Sequence, residues 1–97
     1  MKGAFIFLAP EASNEQNWVK TPHVHLLSVA VPDYREAVET AKRLADSGIQ
    51  IIELCGGFGN KGLAMVAGAV EGKAAVGAVR FDCHPGLNGQ SGDLSFK

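Results

Sequence analysis

Cysteine, aromatic residues and charge are all scarce in this chain of 97 residues, and each shortage removes a class of protein. Its two cysteines, Cys55 and Cys83, have neither paired-ligand nor redox-motif spacing, which fits reduced thiols and not a disulfide framework. Nine basic residues against ten acidic ones leave a net charge of -1, with no basic patch and no interleaving of aromatics with Lys or Arg. That balance argues against nucleic acid as a partner. No stretch approaches the ~20 apolar residues that a bilayer span needs, and the run Ala4 to Ala9 is too short for a signal segment. A cytoplasmic protein that does not engage a membrane is therefore expected. What the chain does have is 46% hydrophobic residues, the composition of a packed core. Residues 1–97 form one domain, which at this length buries roughly 60–65% of the surface its unfolded chain would expose.

The apolar pattern divides the chain into elements. Ala4 to Ala9 is a continuous apolar run ended by Pro10, as in a strand buried on both faces. Between Glu11 and Thr21 the spacing of Ser13 and Gln16 matches a capping box and predicts a short helix. His23 to Val31 reads as the second strand. Asp33 and Glu36 form a stronger capping box ahead of the stripe Tyr34, Ala37, Val38, Ala41, Leu44 and Ala45, and Gly48 ends that helix. Ile49 to Cys55 is the third strand. Asn60 is placed to cap a helix with Leu63, Val66, Ala67 and Val70 on one side and Gly72 as its stop. Ala74 to Phe81 is the fourth strand, and residues 83–97 read as an irregular loop or arm.

The alternation predicts an α/β fold: a mainly parallel four-stranded sheet with strand-helix-strand crossovers, half-barrel-like or small and doubly wound. If the last three strands lie side by side in chain order, both strong helices fall on one face of the sheet. The strands carry apolar residues at both parities, Ile49 and Ile51 against Ile52 and Leu54, so the other face also needs cover. A homo-oligomer whose subunits cover each other's sheet is the favoured solution for so short a chain.

Polar residues gather where the third and fourth strands end, the edge at which ligands bind in parallel α/β sheets. Gly56, Gly57 and Gly59 connect a strand to a helix, where backbone N–H groups can receive an anion, although ordinary turn chemistry explains them equally well. Glu53 is a carboxylate within an apolar strand and Arg80 lies late in the next one. They make either a structural ion pair or an acid/base group beside an oxyanion-binding cation. Asp82 and His84 complete the candidate proton-transfer set, and Pro85-Gly86 turns the chain away. Nucleophilic catalysis by Cys55 or Cys83 and a metal site using Asp82 and His84 both lack a diagnostic spacing. His23 and His25 begin a strand, on the edge away from all these groups, and read as a solvated strand start or a subunit contact.

Ile52 to Gly59, Val79-Arg80-Phe81-Asp82 and His84-Pro85-Gly86 together resemble a family of short bacterial α/β proteins without an assigned function. The likeness runs from Phe5 to Asp93 and implies a self-standing domain. Val29 to Phe81 also resembles the opening part of keto-deoxy-phosphogluconate aldolase and related phosphosugar TIM barrels, with Glu53 in the place of their functional glutamate. The later strand has no lysine for a Schiff base, so this resemblance implies topology and an acid/base glutamate, not aldolase chemistry. The leading expectation is a site for a small anionic metabolite: Gly56, Gly57, Gly59 and Arg80 hold it, while Glu53, Asp82 and His84 transfer protons. Such a set can run an isomerase or lyase reaction without a cofactor. The alternative is a non-catalytic oligomeric binding or assembly protein with a structural Glu53-Arg80 pair.

Overall fold

In a computed structural model, which describes residues 1–96, the helix capped by Asp33 and the apolar strands are present and a fifth strand joins them. The order is β1 (Lys2–Leu8), β2 (Gln16–Lys20), β3 (His25–Val31), α1 (Tyr34–Asp46), β4 (Ile51–Leu54), α2 (Asn60–Ala69) and β5 (Ala75–Ala78). A 3-10 turn, Pro85–Leu87, and a one-turn helix α3, Gly92–Ser95, follow. The strands form one mixed sheet in the spatial order β2-β3-β1-β4-β5, parallel except for β2.

β2 corrects the helix expected between Glu11 and Thr21. The Ser13 to Gln16 spacing has no amphipathic stripe behind it. The Glu15 carboxylate accepts from Ser13 N at 2.7 Å, and Glu11 and Asn14 both adopt positive φ, so this segment is a pair of turns. It delivers Gln16–Lys20 antiparallel to the free edge of β3, where ladder bonds outweigh a marginal helix signal.

Asp33 accepts from Glu36 N at 2.8 Å and starts α1. Tyr34, Ala37, Ala41 and Leu44 bury the stripe, and Gly48 at φ +102° lets the chain reverse into β4. The crossover from β3 to β4 passes over β1, and that from β4 to β5 steps the same way across the sheet. Both helices therefore lie on one face and pack against each other.

On that face Ile6, Val29, Ile52 and Leu54 are fully buried, and each contributes on the order of 1.5–3 kcal/mol of hydrophobic stabilisation. Alternate residues point the other way. There Phe5, Phe7, Leu26 and Ile51 are half-buried and Glu53 is exposed, with no helix over them among the described residues. The order of the parallel strands does reverse at β1, as in a doubly wound sheet, but no helix covers the second face among the described residues. In a TIM barrel successive parallel strands follow one another round the wall; here β1 separates β3 from β4, so the strand order departs from the aldolase pattern.

The expected fourth strand is shorter than its apolar run. Pairing stops at Ala78, and Val79 and Phe81 are about half exposed beyond it. Residues 83–96 are not irregular: they carry the 3-10 turn and α3, while residue 97 lies outside the described residues.

Candidate functional site

The glycine connection after β4 is already occupied, by the chain itself. Gly59 takes the N-cap position of α2 without a side chain, and Asn60, expected as the cap, is the first helical residue. The capping group comes from α3: the Asp93 carboxylate accepts from Lys61 N at 2.9 Å and from Gly62 N at 3.1 Å. These are among the backbone donors a helix start leaves free, at its positive end. Tyr34 Oη donates to Asp93 Oδ1 at 2.7 Å and accepts from Gly59 N at 2.9 Å, so the start of α1, the start of α2 and the C-terminal segment meet at one buried hydroxyl.

Burial raises the Asp93 carboxyl, but the hydrogen bonds from Lys61 N, Tyr34 and Gly62 N outweigh it and hold the group below its ordinary range. Burial pushes the Tyr34 hydroxyl up to about 12, with the Asp93 charge adding to the rise and the Gly59 N–H opposing it. Close approach explains several glycines. A Cβ on Gly59 would overlap Ser91 and Asp93, and one on Gly92 would overlap the Gly57 carbonyl. A Cβ on Gly56 would meet the Phe81 ring.

Two recesses flank this junction. The first, about 440 Å³, lies at the carboxyl ends of β4 and β5; Gly56, Asn60, Arg80, Asp82, Gln90 and Ser91 are among its walls. It brings together four of the expected site residues: Gly56, Gly59, Arg80 and Asp82. Arg80 Nε donates to Asp82 Oδ1 at 2.9 Å, and this exposed pair raises the guanidinium pKa through the hydrogen bond and the adjacent charge. An ion pair so open to water contributes little stability.

Glu53 is elsewhere. It stands on the helix-free face, in register with Phe5 and Gly77, and makes no salt bridge with Arg80 among the described residues. The shared recess expected for Glu53 and Arg80 is not formed, because strand alternation turns Glu53 to the outer face and Arg80 lies beyond the end of β5.

His84 and Gly57 line a second recess, about 400 Å³, with Cys55 and Phe96. His84 Nδ1 accepts from Gly86 N at 3.0 Å, which leaves the proton of the neutral ring on Nε2. In that tautomer Nδ1 is already engaged by a backbone N–H. Asp82 faces Arg80 and does not orient the imidazole. Cys55 Sγ accepts from Leu8 N at 3.4 Å and Gly57 N at 3.3 Å, tying β1 to the glycine turn. Cys83 is exposed, and no group of three metal-ligating side chains converges among the described residues. His23 and His25 lie at the start of β3, the opposite edge of the sheet, where the His23 carbonyl accepts from the Met1 ammonium at 3.0 Å.

Sequence reasoning missed the Tyr34-Asp93 junction. Tyr34 reads as a packing residue in a helical stripe, and its partner is 59 positions away. One local signal was present: Ser91 Oγ accepts from Asp93 N, an ordered turn start inside a stretch that reads as loop.

Helices on one side of a mostly parallel sheet, with a polar recess at the carboxyl ends of its last two strands, define a small two-layer α/β domain. A family model described as a family of unknown function (DUF6506) matches residues 1–94, and the chain belongs to that family. No curated protein and no solved structure matches it.

Proposed function

We propose that the chain binds a small anionic metabolite in the recess at the ends of β4 and β5, and that it does so without proton-transfer chemistry. The observation that carries this reading is the state of Arg80. Its Nε is engaged by Asp82, while its two terminal amino groups make no hydrogen bond among the described residues. Two parallel N–H donors match a carboxylate or a phosphate. Asn60, Gln90 and Ser91 add polar groups along the walls, and Phe58, Leu63 and Phe81 add apolar ones. A volume of about 440 Å³ suits a small metabolite.

Three facts turn the reading from catalysis to binding. Glu53 is outside the recess, Asp82 is committed to Arg80, and the His84 acceptor nitrogen is taken by Gly86. The start of α2 serves Asp93 and not an external anion, so Arg80 is the recognition element and Gly56 and Gly59 shape the wall.

Thermal shift against phosphorylated sugars and keto acids, on the parent and on Arg80→Ala, tests it. A ligand at a hundred times its Kd stabilises the parent by about 2.7 kcal/mol. The variant should lose that response while melting, ligand-free, where the parent does, because Arg80 is exposed. Stabilisation that survives Arg80→Ala, or none across the panel, removes the proposal.

A further inference from the structure

The helix-free side of the sheet carries a pattern of its own, independent of the recess. β1 is central, with β3 and β4 on either side, both parallel to it. One row across the outer face reads Asn17, Ser28, Phe5, Glu53, Gly77 from edge to edge. The row below has Leu26, Gly3 and Ile51 at its centre, and the row above has Ala30 beside Phe7. Phe5 and Phe7 stack on each other with ring centroids 6.3 Å apart, and neither is fully buried. Glu53 is the one charged group among the three central strands of this face.

We infer that this face is covered by a second copy of the chain, related by a two-fold axis that runs along β1 in the plane between the two sheets. Such an axis exchanges the β3 side with the β4 side and keeps each row at its own height. Phe5 then meets Phe5, and Leu26 meets Ile51 of the other copy. Glu53 comes opposite Ser28 of the other copy, whose hydroxyl donates to the carboxylate. Asn17 comes opposite Gly77, so the longer polar side chain enters the space where the partner sheet has none. Apolar groups meet apolar at Phe5 and at Leu26 with Ile51, and the polar side chains of Glu53 and Asn17 each face a smaller residue.

The other face-to-face arrangement, with the axis across the strands at the level of Phe5, sets the two Glu53 carboxylates against each other in a poorly solvated layer. Like charges so placed are strongly unfavourable. Size agrees with self-association. The 27 strand residues, each covering about 3.3 Å by 4.8 Å, give a footprint on the order of 400 Å² per copy. Two copies together reach about 900 Å², close to the lower bound of a specific interface, as for a reversible dimer. Side chains from both faces fill the roughly 10 Å between packed sheets.

Sedimentation equilibrium across a concentration series tests the inference, with circular dichroism to establish that each variant is folded. The parent should sediment at twice its 10.2 kDa chain mass. Glu53→Lys should weaken the dimer at least tenfold, since the substitution acts at two symmetric positions, and Ser28→Glu should weaken it similarly by facing Glu53. Combining Glu53→Lys with Ser28→Glu restores opposite charges across the axis and should recover at least tenfold over either single variant. A parent that remains at 10.2 kDa up to about 100 µM overturns the proposal. So does a folded double variant that stays as weak as the singles, because rescue requires β3 of one copy to face β4 of the other.

Discussion

Asp93→Asn isolates the junction that joins the two helices to the C-terminal segment. The aspartate accepts three hydrogen bonds, from Tyr34 Oη, Lys61 N and Gly62 N, at 2.7, 2.9 and 3.1 Å. Asparagine keeps one oxygen for Tyr34 and Gly62 but turns an amino group toward the Lys61 N–H, so one charge-assisted bond is lost and a donor faces a donor. That bond contributes about 1.5 kcal/mol, and removing a negative charge from the first turn of α2 about 0.5 more. The sum, about 2 kcal/mol, is a fall in Tm of about 10 °C for a domain of this size. The effect has a pH signature. The Asp93 carboxyl titrates below the ordinary aspartate value of 3.8 in the folded chain, so its stabilisation is present above that value and disappears as pH falls through the folded one. Calorimetric melts of parent and variant should therefore differ fully at pH 7 and converge below about pH 4. A variant that melts within about 1 °C of the parent at pH 7, or a gap that stays constant into acid, would refute the capping role.

Tyr34→Phe leaves Asp93 and Gly59 N without their shared partner and should cost about 1–2 kcal/mol in urea denaturation. Because the Tyr34 hydroxyl is raised from 10 to about 12, its contribution is complete below pH 10 and is lost as pH climbs through 12, so parent and variant should converge there. Gly92→Ala drives a Cβ into the Gly57 carbonyl, which is backbone and cannot step aside; a loss of more than about 3 kcal/mol is expected. Gly56→Ala meets only the Phe81 side chain, which is half exposed with its ring nearest, and should cost under about 1 kcal/mol; equal losses for these two would discredit the account of the turn. Thr40 is fully buried in α1 and its hydroxyl has no partner among the described residues, so Thr40→Val should raise stability by about 1 kcal/mol, and a fall in Tm would mean that the hydroxyl is satisfied in solution.

What could be read in advance follows the range of the interactions. The Asp33 cap, the stripe through Leu44 and the reversal at Gly48 involve neighbours a few positions apart, and α1 appears within two residues of its expected bounds. The identity of β2 depends on β3 presenting an open edge, which nothing between Glu11 and Thr21 records. The placing of β1 between β3 and β4 is likewise a choice among pairings that all bury similar apolar runs. Of the candidate site residues, Gly56, Gly59, Arg80 and Asp82 line one recess at the strand ends, where the sequence clusters its polar residues. Whether Glu53 pairs with Arg80 was not legible, since that needed the register of β4 against β5 and the point where β5 stops. Alternation alone then puts Glu53 on the outer face. The glycines that suggested an external anion make room for the chain's own carboxylate, a contact spanning 31 positions between Gly62 and Asp93.

That separation orders the making of the protein. A ribosome releases the first turn of α2 some thirty residues ahead of the acid that completes it, so nascent chains halted before Asp93 should present a frayed opening turn to proteases. Docking of the final helical turn is the clasp that closes the molecule, and it comes after the sheet and both longer helices have been synthesised.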